Sequence, residues 1–138
     1  MRFSKKAEYA IFLLAHLAAN EDHGPVPAKE IAEKQNMPVN IMPQISTLLS
    51  KKGWIIGKRG AGGGLTLQVD AGTITVKDVI ELIEGPIAVS GCLLKDETCA
   101  NHQECPLHQV WQKAQQDLSR ALEKVTIKDL SQRIKSKG

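Results

Sequence analysis

Apolar residues recur at three- and four-residue steps through the first twenty positions. Ala7, Ala10, Ile11, Leu14 and Leu17 fall on one face, and Ser4 stands where a helix cap belongs, so a helix is predicted over about residues 5–20. "NEDHGPVP" (20–27) reads as a turn, and "AKEIAEKQ" (Ala28–Gln35) as a short helix burying Ile31 and Ala32. After "NMP", a helix over Asn40–Lys52 turns Ile41, Ile45, Leu48 and Leu49 inward and stops at Gly53. The period then changes. "WIIGKRGAGGGLTLQV" (54–69) sets two apolar, β-prone arms around a glycine-rich tip, which predicts a hairpin. Helical spacing returns at Thr75–Glu84, capped at Thr73 or Thr75 and closed by Gly85–Pro86. A long helix from about Pro106 to Val125 carries Leu107, Val110, Trp111, Ala114, Leu118, Ala121, Leu122 and Val125 on one stripe. "SQRIKSKG" reads as a polar, frayed tail, and no internal repeat stands out.

Helix, short helix, three-residue turn, helix and hairpin is the order of a winged helix-turn-helix. The expected fold is mainly α with a small β-hairpin wing, followed by a long C-terminal helix. In such a unit the second helix of the pair enters the major groove and offers its exposed face to base edges. Asn40, Gln44, Ser46, Thr47 and Ser50 lie on that face, and all can hydrogen-bond bases or phosphates. Pro43 is tolerable if Asn40 is the N-cap, because first-turn amides lack helical partners. Lys51, Lys52, Lys58 and Arg59 follow with no acid between them. Gly60, Gly62 and Gly63 would let the tip backbone approach a sugar-phosphate edge, with Arg59 suited to a narrow minor groove. "GKRGAGGG" is no nucleotide loop, since it lacks a Lys-Ser/Thr ending and precedes a strand.

Charge supports this placement. Residues 1–69 carry nine Lys/Arg against five Asp/Glu, whereas residues 70–138 carry nine against ten, so a polyanion would bind the first half. The length suits one domain, or a small domain with an accessory helical part. Aromatics make up only 4% of the chain, leaving Leu, Ile, Val and Ala to form the core. Glu8 and His16 interrupt the apolar opening, and no run approaches the roughly 20 residues of a membrane span. The expectation is a cytoplasmic protein with reduced thiols and no membrane partner. No paired base and nucleophile points to an enzyme.

All three cysteines, Cys92, Cys99 and Cys105, crowd into "GCLLKDETCANHQECPLH" (91–108). Buried structural thiols would be unusual beside Lys95, Asp96, Glu97 and Glu104, and three is a poor number for disulfides. Zinc sites commonly use closer cysteine spacing, although Cys105 and His108 are three apart. Spacing alone suits an iron–sulfur cluster and a redox thiol about equally.

"MRFSKKAEYAIFLLAHLA", "PAKEIAEKQNMP", "LLSKKGWI", "KRGAGGGL", "ITVKDVIELIEGP", the three cysteines and "VTIKDL", in this order, resemble the IscR/NsrR-type regulators of the Rrf-two family. The likeness covers nearly the whole chain. It implies a homodimeric winged-helix transcription regulator, repressor or activator, whose cluster state changes its affinity for double-stranded promoter DNA. Cys92, Cys99 and Cys105 match the cluster thiolates. His108, in "ECPLH", matches the histidine that serves the [2Fe-2S] cluster-assembly regulators, and Glu8 matches the carboxylate supplied across the dimer in nitric-oxide-type sensors. This chain has both, and six residues between Cys92 and Cys99 where five are common, so [2Fe-2S] and [4Fe-4S] both stay open. The long stripe then reads as a subunit interface through Val110, Trp111, Ala114, Leu118 and Leu122. The implied organisation is a DNA-binding domain over 1–85, a cysteine-containing sensor loop over 86–105, and a dimerisation helix with tail over 106–138. Redox state, nitric oxide or iron status would be the signal. A cluster-free thiol- or zinc-dependent regulator is the alternative, with a redox or cluster-transfer protein more remote.

Overall fold

The computed structural model describes residues 2–93 and 105–137. Helix α1 (Lys5–Ala19) begins where Ser4 Oγ accepts the Ala7 N–H at 3.1 Å. Its buried face is broader than the sequence stripe, comprising Ala7, Ala10, Leu13, Leu14, Ala15, Leu17 and Ala18. A face that wide needs partners on several sides. The helices α3 (Ile41–Lys52), α4 (Val76–Glu84) and α6 (Ile127–Lys137) all pack against α1, as does strand β2 (Gly64–Leu67). The short α2 (Ala28–Lys34) seats Ile31 in the same core, beside Ile45 and Leu49 of α3.

Half-buried His16 also faces α2. Its Nε2 lies 3.2 Å from the Gln35 amide nitrogen, so the amide donates and this ring nitrogen accepts. Burial lowers the His16 pKa and nearby Lys34 lowers it further, with Glu30 opposing. The neutral ring is thus the form that fits.

Strand β1 (Ile55–Lys58) pairs antiparallel with β2 in the register Ile55↔Leu67 to Lys58↔Gly64. Ile55 and Leu67 both point into the core, so the hairpin is rooted by apolar contact while its tip stays exposed. Val26 adds a third strand-like rung, exchanging both backbone hydrogen bonds with Leu65 at 3.0 and 2.8 Å. A side chain at Gly64 would collide with the Val26 backbone, its Cβ lying 2.5 Å from that carbonyl.

Two of the sequence readings change here. Residues 131–137 are not a frayed tail: α6 runs to Lys137 along α1, with Ile127 fully buried and Ser131 4% exposed. Its polar composition hid one inward row of Ile127, Leu130, Ser131 and Ile134 at helical spacing. There is also a short internal similarity, "ITVKDV" (74–79) against "VTIKDL" (125–130). The two stretches form an antiparallel bridge, Val76 N–H to Val125 C=O and Ile127 N–H to Ile74 C=O, both 2.9 Å. Each then starts a helix with the same reciprocal cap. Thr75 and Asp78 exchange bonds of 3.0 and 3.1 Å, and Thr126 and Asp129 bonds of 2.9 and 3.1 Å. The Thr126 amide, then its hydroxyl, holds the Asp129 carboxyl below its ordinary pKa.

Ile127→Ala should therefore destabilise the fold by about 2–5 kcal/mol, as loss of a fully buried aliphatic side chain does. Urea denaturation measures this, and an unchanged midpoint would restore the frayed-tail reading.

Candidate nucleic-acid interface and sensor loop

Helix α3 starts where its sequence pattern places it, with Asn40 ahead of Ile41, although the connection from α2 runs over residues 35–40 and not three residues. Asn40 occupies the N-cap position in an αR conformation, but its side chain makes no capping bond. Pro43 falls in the first turn, as expected from its missing N–H. The polar face turns partly back on the helix. Gln44 Nε2 donates to the Asn40 carbonyl at 3.1 Å, and the Ser46 and Thr47 hydroxyls both donate to the Pro43 carbonyl, at 3.2 and 2.7 Å. Asn40, Gln44, Thr47 and Ser50 remain exposed, while Ser46 is half-buried.

Helix and wing follow one another with almost no slack. Gly53, at φ 85°, ends α3, with Trp54 N–H returning to the Leu49 carbonyl at 3.1 Å. Lys51 and Lys52 occupy the last turn of α3, Lys58 ends β1 and Arg59 follows it, all four exposed. The Lys52 ammonium lies 5.8 Å from the centre of the Trp54 ring. The tip depends on glycine. Gly60 and Gly62 have φ of 94° and 75°, and a Cβ on Gly63 would lie 2.2 Å from the Lys58 carbonyl oxygen. Bare backbone is thus presented next to two cations.

The structure places the two ends of the cysteine segment. On the N-terminal side, residues 86–90 lead from α4 into a 3₁₀ turn at Gly91–Leu93 that holds Cys92, whose thiol donates to Ser90 Oγ at 3.5 Å. On the other side, Cys105 is the N-cap of α5 (Pro106–Glu123), with Pro106 in its first turn. His108 stands on that turn, half-buried, its N–H bonded to the Cys105 carbonyl at 3.2 Å. Cys92 and Cys105 are both half-buried free thiols. Cys99 lies outside the described residues. Glu8, on the first turn of α1, is half-buried and pairs with Lys5 at 3.3 Å. Among the described residues no three His, Cys, Asp or Glu side chains converge within one chain. Cys105 and His108 share a helix turn, and with Cys92 the donor chemistry, two thiolates plus one imidazole, fits an iron–sulfur group.

Gln115 ties this segment to α5. Its Nε2 donates to the Ile87 carbonyl at 2.6 Å and its Oε1 accepts the Val89 N–H at 2.9 Å. Further along, Lys77 of α4 bonds Glu123 at 2.8 Å and lies 3.6 Å from Glu81; the Glu123 bond chiefly raises the Lys77 pKa. Even so, α5 has no buried residue along its eighteen positions. Trp111, Leu118 and Leu122 are half-covered, whereas Leu107, Val110, Ala114 and Ala121 are exposed. Sequence pattern singles out neither Gln115 nor the exposed Val39; a polar residue inside an apolar stripe was the available signal for the first.

No helix among the described residues is long and apolar enough to cross a membrane. The family model described as Rrf2, iron-dependent transcriptional regulator, matches residues 3–133. The chain is 32% identical over 130 residues to the HTH-type transcriptional regulator IscR of Klebsiella pneumoniae, spanning 94% of this chain and 79% of that protein. Among solved structures it is similar to CymR, the global cysteine regulator of B. subtilis, with a TM-score of 0.81 and 28% identity over 96% of this chain and 98% of the other. The oxidized form of Staphylococcus aureus CymR gives a TM-score of 0.76 at 30% identity, covering 95% and 96%. IscR of T. potens gives 0.75 at 27% identity, covering 97% and 88%.

Proposed function

The chain belongs to the Rrf2 family of DNA-binding transcriptional regulators, and on that premise we propose a cytoplasmic homodimer that senses redox state, nitric oxide or iron status through an iron–sulfur cluster. One observation carries the sensing reading: two free thiols, Cys92 and Cys105, stand at a 3₁₀ turn and at the N-cap of α5, and Gln115 of α5 fastens the Ile87 and Val89 backbone that leads into the first of them. Cys92, Cys99 and Cys105 would hold the cluster, with either His108 or Glu8 of the partner subunit as fourth ligand. When bound, the cluster supplies a centre whose charge and ligation respond to electrons, nitric oxide or iron supply.

The chain's own residues would transmit the result. A change in loop order alters the Ile87 and Val89 backbone, which Gln115 couples to α5. The same segment continues α4, whose terminal Glu84 accepts the Ser4 N–H at 3.1 Å and so touches the start of α1. A signal shifts DNA affinity only through its unequal affinity for the two arrangements. In this scheme residues 1–85 bind DNA, 86–105 sense, and 106–138 dimerise through α5. Asn40, Gln44, Ser46, Thr47, Ser50 and Lys51 would line the major groove, while Lys58, Arg59, Gly60, Gly62 and Gly63 follow the backbone or minor groove. Two α5 helices packed through Val110, Trp111, Ala114, Leu118 and Leu122 would set two recognition helices about one DNA turn, roughly 34 Å, apart.

A second reading is favoured by the likeness to the global cysteine regulator, one relative of which was solved in an oxidized form. The thiols would then respond directly, without a cluster. Anaerobic purification separates the two: colour with iron and acid-labile sulfide supports the cluster, whereas colourless protein with intact signal-dependent DNA binding supports thiol sensing.

In the cluster reading, single Cys92→Ala, Cys99→Ala and Cys105→Ala variants should each lose stable iron and sulfide. His108→Ala and Glu8→Ala should differ in their effect on the absorption spectrum, and the more damaging one identifies the fourth ligand. Full iron and sulfide in all three cysteine variants would overturn the assignment. For the wing, Arg59→Ala should cost about 1–3 kcal/mol of specific binding, and Lys58→Ala should weaken all sequences and reduce the salt slope by about 1. Parent-like binding by both would remove the wing from the interface. Val110→Asp should convert a dimer to a monomer at micromolar concentration with unchanged circular dichroism, since Val110 is 54% exposed within one chain. A parent that already sediments as a monomer would contradict the α5 interface.

A further inference from the structure

Most of the polar side chains expected to read bases are committed to the helix itself. Gln44, Ser46 and Thr47 all donate to carbonyls of Asn40 or Pro43. The most exposed large apolar side chain among the described residues stands beside them: Val39, at 93%, immediately before Asn40. Its methyls have no packing role to explain them. Val39 and Pro43 border a cleft of about 710 Å³ between α2 and α3, whose floor includes Ala32, Met37 and Met42. This apolar rim sits at the N-terminal end of the recognition helix, the part that meets base edges when such a helix enters the major groove. Of the four bases only thymine offers a methyl group there, and apolar side chains recognise it by contact.

We propose that Val39, with Pro43 beside it, reads thymine 5-methyl groups in the operator. Specificity at these positions then comes from burying methyl against methyl, while the backbone-bound Gln44, Ser46 and Thr47 hold the helix end in shape. The proposal rests on the DNA-binding reading, and the test keeps the two apart.

The dimeric full chain is used to select sites from a random duplex library, and each thymine of a selected site is replaced in turn by deoxyuridine, which lacks only the methyl. Affinities are measured by fluorescence anisotropy at one salt concentration. At one or more positions per half-site the parent should bind the uracil form about fourfold more weakly, the equivalent of burying one methyl group. Val39→Ala should bind thymine and uracil forms alike at that position with an unchanged salt slope, and Val39→Thr, which keeps one methyl, should fall between. Because Val39 is exposed, neither variant threatens the fold. Indifference of the parent to every replacement, a selected site without thymine under the recognition helix, or undiminished discrimination by Val39→Ala would overturn the proposal while leaving DNA binding intact. Failure to enrich any site would sink both together.

Discussion

Two backbone hydrogen bonds, Val76 to Val125 and Ile74 to Ile127, close the long excursion that contains α4, the cysteine segment and α5. They tie the start of α4 to the start of α6 directly, alongside the packing of both helices on α1. Bringing distant residues together costs loop-closure entropy, and a bridge with a reciprocal cap on either side offsets part of it locally. The burial of Ile74 and Ile127 beneath the bridge completes the anchor. α6 is thereby delivered onto α1, and α5 is held beyond its C-terminal end by the bridge and midway by Gln115.

This arrangement separates a densely packed part from a sparsely packed one. The winged unit has a continuous apolar core running from Ala10 and Leu14 through Ile45 and Leu49 to Ile127. Residues 86–93 contribute nothing to it: they are half-buried or exposed and are held to α5 by the Gln115 amide. Regions with few buried apolar contacts open most easily, and residues 86–93 are of that kind while the winged unit is not. The amphipathic α5 has no buried residue within one chain, and the proposed dimer would cover its apolar stripe.

Helix and hairpin positions were legible because they rest on local rules. Gly53 ends α3, Gly60 and Gly62 turn the wing tip, and Thr75 caps α4, each through backbone geometry that one residue type favours. The DNA-facing chemistry was legible only in outline. Ser46 and Thr47 carry hydroxyls suited to bases, but a hydroxyl on a helix can equally return to the carbonyl of the preceding turn, and here both do. Val39 was passed over because an apolar residue in a turn is by default assigned to a core.

From the sequence by itself came the winged helix-turn-helix order, the basic first half, the clustering of thiols and the amphipathic α5, since periodicity, turn residues and charge are written in the order of residues. The tertiary structure alone decided that the polar C-terminal stretch is a packed helix, that "ITVKDV" and "VTIKDL" lie side by side, and that Gln115 clamps the Ile87–Val89 backbone. These depend on which distant surfaces meet. Four inward positions suffice to bury a helix against a neighbour, and one amide suffices to fasten a loop; neither leaves a run long enough for a local pattern to register.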